Sequence, residues 1–323
     1  MDSTTAISAE GPRNIVAATD LSDNANAALR WAKEIANDHQ AALHIVHASN
    51  LAGWSTDYLE IDARIPTQVQ QATQQKLDEI AQQYRQGGVQ VSAEVRIGEP
   101  CDVILTTARA RQADLIVVGT RGQRGLDYLL LGSTAQRVVQ RATCPVLTIH
   151  PQAAEKEKPI RRILVATDFS PEAEVACQSS LSLSRGEPSG TEVILMHAYL
   201  VPYELMDANG FVSTNASLEQ WETAQTDVEK RLERSAQSAR ETGTSVETLG
   251  LEGYPPEAII EKAREYEVDL IAMGTHGRTG LTHVLLGSTA ERVIQRAPCP
   301  VLTVRRSRSQ QHGEDPPSTP PCK

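Results

Sequence analysis

Two glycine clusters recur in this chain at one spacing, each placed where a phosphate group can be held. Gly119-Thr120-Arg121-Gly122 is followed, after nine residues, by Gly132-Ser133-Thr134. Gly274-Thr275-His276-Gly277 is followed, again after nine residues, by Gly287-Ser288-Thr289. The first cluster of each pair ends a short apolar run, and glycine there lets the backbone approach a ligand closely. The second cluster opens an amphipathic segment. At such a helix start, unpaired N–H groups and the helix dipole favour an anion. The hydroxyls of Ser133, Thr134, Ser288 and Thr289 can bond phosphate oxygens. Two clusters after one strand can thus hold a ribose and its phosphates along one path. A purely structural reading stands beside this one, with the glycines shaping turns and Ser133 capping a helix.

Other residues invite chemistry less strongly. His47 and His197 end matching apolar runs and read as satisfied histidines near the sheet edge. Cys144 and Cys299 precede proline in matching final strands and read as packing residues. Redox sensing needs a lowered thiol pKa and access, neither of which is written in a sequence. Trp54, Tyr58, Tyr203 and Trp221 can stack on a base, but loop packing accounts for them more simply.

The elements that must carry the glycines follow from hydrophobic periodicity. In the first half, apolar runs at Asn14–Ala18, Leu43–Ala48, Val89–Val95, Leu115–Val118 and Val146–Ile149 predict strands. Between them, Ser22–Asn37, Pro66–Gln86, Pro100–Arg111 and Ser133–Arg141 predict helices, with Ala28, Trp31 and Ile35 sharing one side of the first. Ser22 is placed to cap that helix, and Gly87-Gly88 to close the second. Strands alternating with helices imply a parallel sheet covered on both faces, with right-handed crossovers. Ligands of such sheets bind where the strand order reverses, beyond the carboxyl ends of the strands.

The pattern occurs twice. GSTAQRVVQRATCPVLTIH (132–150) and GSTAERVIQRAPCPVLTVR (287–305) differ at five positions, two of them Val/Ile exchanges. NIVAATDLS (14–22) matches RILVATDFS (162–170), and ADLIVVGTRG (113–122) matches VDLIAMGTHG (268–277). Order and spacing are kept, so the chain is a duplicated domain. We expect one domain at 11–150, a charged linker at 151–159, a second domain at 160–306 and a disordered polar, proline-rich tail at 307–323.

Composition bounds what the domains do. With 323 residues, each half can bury its own core, and only 4% aromatic content means a core of Val, Ile, Leu and Ala. A formal net charge of -10 disfavours nucleic-acid binding, which needs clustered Lys and Arg, but leaves room for a local anion site. Five cysteines without CxxC spacing read as reduced thiols, with neither a metal site nor a disulfide framework. No apolar stretch reaches membrane-span length and the N-terminus has no signal-peptide pattern, so a cytoplasmic protein is expected.

ATD(L/F)S after the first strand, the G-x2-G-x9-G-S/T motif and the final CPVLT strand, each present twice, resemble the universal stress protein family. The resemblance covers nearly the whole chain apart from the linker and both termini. It implies two tandem Rossmann-like (adenine nucleotide alpha hydrolase-like) domains, each a five-stranded parallel sheet of order 3-2-1-4-5 with helices on both faces. It also implies ATP, with Mg2+ or Mn2+ riding on its phosphates. The triphosphate would meet Gly122, Gly132, Ser133 and Thr134, with Gly119 near the ribose and Thr120 and Arg121 beside it. In the second half these positions are Gly277, Gly287, Ser288, Thr289, Gly274, Thr275 and His276. The family's acidic residue after strand one matches Asp20 and Asp168, which follow Ala18 and Ala166. The backbone that reads the adenine edge matches Ala48 and Ala198. Family domains pair through their last strands, so an internal pseudo-dimer is expected, and a further homodimer is compatible with it.

Three functions compete. The first is a nucleotide-binding stress-response or signalling module. The second is a slow ATPase or autokinase; against it, the chain has no G-x4-G-K-[ST] P-loop, no kinase-like HRD or DFG set, and no dedicated base or other catalytic residue. The third is a nucleotide-free interaction scaffold, which the intact glycine motifs oppose. Arg124 and Arg278 can neutralise phosphate, or can belong to a solvated loop. The differing loops 49–66 and 199–217 predict unequal affinities of the two sites.

Overall fold

A computed structural model describes residues 6–49, 64–120, 131–151, 153, 159–184, 190–200, 215–241, 243–275 and 286–305. The first half runs β1 (Asn14–Ala18), α1 (Asp23–His39), β2 (Ala42–Ser49), α2 (Arg64–Arg85), β3 (Gln90–Ile97), α3 (Pro100–Ala110), β4 (Leu115–Gly119), α4 (Ser133–Arg141) and β5 (Val146–Ile149). The second runs β6 (Arg162–Ala166), α5 (Pro171–Leu183), β7 (Glu192–Tyr199), α6 (Asn215–Glu241), β8 (Ser245–Glu252), α7 (Pro255–Glu265), β9 (Leu270–Gly274), α8 (Ser288–Arg296) and β10 (Val301–Val304).

Local chemistry explains most boundaries. Ser22 caps α1 by accepting from the Ala25 N–H, and Ser170 does the same for α5 from Ala173, with Pro171 following where a helix needs no N–H. Glu99 caps α3 through the N–H groups of Cys101 and Asp102. Helix α2 gives way to Gly87-Gly88, where Gly88 takes φ +87, as a left-handed turn requires. Two strands are longer than the periodicity suggests: β2 and β3 pair in register from Ala42↔Gln90 to Ser49↔Ile97. Backbone pairing carries a strand past the point where its side chains stop being apolar. Cys144 and Cys299 lie just before β5 and β10 rather than inside them.

The strands form one ten-stranded sheet of order β3-β2-β1-β4-β5-β10-β9-β6-β7-β8. Each half is therefore parallel and of order 3-2-1-4-5. The halves meet where β5 and β10 pair antiparallel, with Leu147 opposite Leu302. Thr148 Oγ1 donates to the Val301 carbonyl at 3.1 Å, and Thr303 Oγ1 to the Val146 carbonyl at 3.2 Å. These reciprocal bonds mark a local two-fold axis through the leucine pair. Gln136 Nε2 donates to Glu291 Oε1 at 3.4 Å across the same axis. The expected internal pairing of the two last strands is thus present.

Central strands are buried on both faces, as their unbroken apolar runs require. One core lies under α1, α2, α5 and α6 and includes Ile15, Leu43, Leu115, Leu147, Ile163 and Leu302. The other lies under α3, α4, α7 and α8 and includes Val16, Ile116, Val138, Leu164, Ile271 and Val293. Both cores run across the seam between the halves.

Candidate functional site

The strand order reverses between β1 and β4, and again between β6 and β9. In sheets of this kind a reversal leaves a crevice beyond the strand ends, and the described parts of the repeated motifs flank that position.

The first wall is the ATD(L/F)S loop. Thr19 extends the ladder, its N–H donating to the Val46 carbonyl at 3.0 Å, and its Oγ1 accepts from the Leu21 N–H at 2.9 Å. Asp20 Oδ1 accepts from the Ser22 N–H at 3.0 Å and from the Ser22 hydroxyl at 2.5 Å. The second half repeats the loop: Thr167 N–H to the Met196 carbonyl, Phe169 N–H to Thr167 Oγ1, Ser170 N–H to Asp168 Oδ1. Leu21 and Phe169 adopt φ +63 and +65, a conformation that costs a side-chain-bearing residue roughly 1 kcal/mol or more. Their side chains pack on the core under α1 and α5, which offsets that cost. In the second half Asp168 Oδ2 is buried with no hydrogen-bond partner. A carboxylate oxygen in that state calls for a donor or a cation.

The second wall is the start of α4 or α8. The Gly132 N–H donates to the Thr120 carbonyl at 2.9 Å, while the Thr120 N–H donates to the Ile149 carbonyl at 2.9 Å. Thr275 makes the same two bonds, to Gly287 and Val304. One residue after strand four thus ties the helix start to the last strand. Gly132 and Gly287 are the N-caps, and no side chain caps either helix. This overturns the reading of Ser133 as the cap: it is the first helical residue, and its side chain is exposed. The first-turn N–H groups keep their anion affinity because the cap residue has no side chain to compete for them. Thr120 Oγ1 is a further buried polar atom without a partner.

The third wall is made of alanines. Ala18, Ala48, Ala166 and Ala198 are half-buried at the ends of the first two strands of each half, on the α3/α4 and α7/α8 side. Small side chains there leave space above the sheet. The histidines brace the first wall from below. His47 Nδ1 lies 2.9 Å from the Thr19 carbonyl and His197 Nδ1 2.7 Å from the Thr167 carbonyl, where an Nδ1–H donates. Both are satisfied, on β2 and β7, each one strand in from the edge of the sheet. In the second half, His197 begins an aromatic series. Phe169 lies 4.5 Å from it on one side, Tyr199 5.9 Å on the other, and Trp221 5.5 Å beyond Tyr199. Arg231 stands 4.1 Å over the Phe169 ring. This series lies on the α5/α6 side, opposite Ala166 and Ala198, with Trp221 of α6 packed on Tyr199 of β7.

The topology places Ala18, Asp20, Ala48, Gly119, Thr120, Gly132, Ser133 and Thr134 at the carboxyl end of the strands in one half, and Ala166, Asp168, Ala198, Gly274, Thr275, Gly287, Ser288 and Thr289 at that end in the other. Arg121, Gly122, Arg124, His276, Gly277 and Arg278 lie outside the described residues, as do Trp54, Tyr58, Tyr203 and the 307–323 tail. Burial pushes the Cys144 thiol up to about 12 and Cys177 up to about 11, which disfavours a reactive thiolate at either. Glu99, Cys101 and Asp102 also cluster. Glu99 is engaged by its helix cap and by Arg137 at 2.8 Å, and Asp102 by Arg141 at 2.8 Å, so the group clamps α3 to α4.

Two residues unremarked in the sequence tie together, at its far end, the strand pair that flanks each switch point. Asp114 Oδ2 accepts from the N–H groups of Arg13 and Asn14 at 2.8 and 2.9 Å. Asp269 Oδ2 accepts from Arg161 and Arg162, both at 2.9 Å. Each carboxylate staples the start of strand one to that of strand four. The signal was present in the repeated A/V-D-L-I motif.

A doubly wound parallel sheet with a glycine-led helix start and an acidic loop following the strands at each switch point defines a Rossmann-like protein of two repeated units. The sequence profile of the universal stress protein family matches residues 11–150 and again residues 159–305, and the chain belongs to that family. A universal stress protein of Mycolicibacterium smegmatis is 27% identical over 314 residues, covering 90% of this chain and 96% of its own. Universal stress protein MJ0577 of Methanocaldococcus jannaschii is 31% identical over 160 residues, covering 46% of this chain and 97% of its own. The crystal structure of a universal stress protein from Archaeoglobus fulgidus has a TM-score of 0.63 at 24% identity, over 92% of this chain and 97% of that one. Among the described residues, no helix is long and apolar enough to cross a membrane.

Proposed function

We propose that each half binds an adenine nucleotide, ATP, and that the chain is a nucleotide-binding stress-response or signalling module of the cytoplasm. The observation that carries this reading is the twofold occurrence of an uncapped, glycine-led helix start tied to the end of strand four. In it, the N–H groups after Gly132 and Gly287 take the phosphates, helped by the hydroxyls of Ser133, Thr134, Ser288 and Thr289. Gly119 and Gly274 border the ribose. The Ala48 and Ala198 backbone meets the base edge, and Asp20 and Asp168 face the nucleoside. Residues 11–150 and 160–306 act as the two binding domains.

The buried, unpartnered Asp168 Oδ2 fits either a ribose hydroxyl or a divalent cation such as Mg2+ or Mn2+ carried on the phosphates. Such a cation would supply charge neutralisation, and Asp168 would orient it. A dimer of chains would use surfaces other than the last strands, which already pair within the chain.

Mass spectrometry of ligand released from denatured, freshly purified protein is expected to find ATP. Titration of Gly132→Val and Gly287→Val is expected to lose affinity half by half, because a branched side chain at the cap crowds the phosphate position. No nucleotide and no titratable binding would move the reading to an interaction scaffold. ATP turnover, if present, is expected well below about 1 per second. A rate above that, abolished by Asp20→Ala or Asp168→Ala, would make the protein an enzyme.

A further inference from the structure

The segment before β1 does not stay with its own half. Ile7 is 3% exposed and belongs to the core under α1 and α5. Its N–H donates to Ser179 Oγ at 3.3 Å, and its carbonyl accepts from Ser182 Oγ at 3.4 Å. Both serines are on α5, in the second half. The chain then folds back: the Gly11 N–H donates to the Ser8 carbonyl at 2.9 Å, and the Ser8 hydroxyl to the Gly11 carbonyl at 2.8 Å. This turn sets Gly11, at φ +92, against the His39 ring that ends α1; a Cβ at Gly11 would lie 2.1 Å from His39 Nδ1. One short segment therefore touches the last turn of α1 and the last turns of α5.

The linker mirrors it. Ala153, 2% exposed and leading into β6, lines one small hollow with Trp31 of α1 and with Cys299 and Pro300 of the second half. Trp31 and Ser179 are both the ninth residue of their helices. Each lead-in to a first strand thus crosses the local two-fold axis onto the first helix of the other half.

We propose that residues 6–11 are a latch that fixes α1 and α5 to each other, a second join between the halves independent of the β5–β10 seam. Two of its hydrogen bonds reach α5 of the other half, and the buried Ile7 side chain makes release of the segment cost apolar exposure. Helices α1 and α5 begin at the Asp20 and Asp168 loops. The latch therefore sets how the two crevices are held relative to each other; only that consequence rests on the nucleotide reading.

The test is amide hydrogen exchange on the full chain without added nucleotide, comparing Ile7→Asp and Gly11→Ala with the parent. Ile7→Asp removes the buried anchor, and Gly11→Ala drives the turn off His39. The latch predicts roughly tenfold or faster exchange at 179–184 in α5 and 36–40 in α1 in both variants, with 146–149 and 301–304 unchanged. Ile7→Val should restore parental exchange. Unchanged exchange at both helix ends would overturn the latch. So would acceleration spread evenly over the sheet, because that reports general destabilisation.

Discussion

Single residues here are held in conformations that only their neighbours justify. Leu21 and Phe169 take left-handed backbone angles in the loops where Asp20 and Asp168 bond Ser22 and Ser170, and the core beneath repays them. His39 is similar. Burial pushes its imidazole below the ordinary histidine range, while the nearby Leu183 and Glu10 carbonyls pull the other way. Nε2 nevertheless has no partner at hydrogen-bond geometry, so the burial effect is the one that governs. His44 is lowered as well, by burial and then by Arg111. A histidine whose folded pKa is depressed favours its neutral form in the native state. Its contribution is intact above the unfolded imidazole pKa and is lost as pH falls through that value toward the folded one. Urea melts from pH 7.5 to 5 should therefore show declining stability, with a shallower decline in His39→Gln. Equal slopes in both proteins would show that His39 titrates alike folded and unfolded.

At the scale of elements, most capping and burial was legible in the sequence. Ser22 before an apolar 3.6-residue repeat, and Gly87-Gly88 after one, act through bonds a few residues long. What joins distant elements was not. Asp114 looked like a polar residue before a strand, yet it binds two N–H groups about a hundred residues earlier. Asp114→Ala and Asp269→Ala should each cost about 1–2 kcal/mol in chemical denaturation, discounted because the sites are only partly buried. The same variants should leave far-UV helix content unchanged, since no helix cap is touched. Gln74 is a second instance. Its side chain bonds the Ala93 carbonyl and the Val95 N–H on the outer side of the edge strand β3, closing a row that would otherwise accept another chain. A glutamine in a polar helix face carries no mark of that task.

For the whole molecule the seam decides behaviour. Leu147 and Leu302 are fully buried on the axis, where two parallel sheets become one. Leu147→Asp puts an unpaired carboxylate there, at a cost of several kcal/mol. Calorimetry should then resolve the parent's unfolding endotherm into two, as the cores part at the seam and the halves melt separately. A single undiminished transition would mean that the halves are coupled mainly by other contacts. The Gln136–Glu291 contact belongs to this scale too. Residues that are copies of each other face one another across the axis, and the exchange of one Glu for Gln replaces like-charge repulsion with a hydrogen bond.

The sequence by itself determined the duplication, the alternation of strands and helices, the sheet order through its resemblance, and the glycine clusters at strand ends. Those properties are written in local periodicity and in repeated spacing. Tertiary structure alone decided that Gly132 rather than Ser133 is the helix cap, that the aromatic series lies on the α5/α6 side, and that Asp168 keeps an unpartnered oxygen. It alone brought Ile7 onto α5. The cap and the aromatic series depend on how the backbone turns and which face each side chain meets once strand and helix have packed, and Ile7 depends on partners more than a hundred residues away.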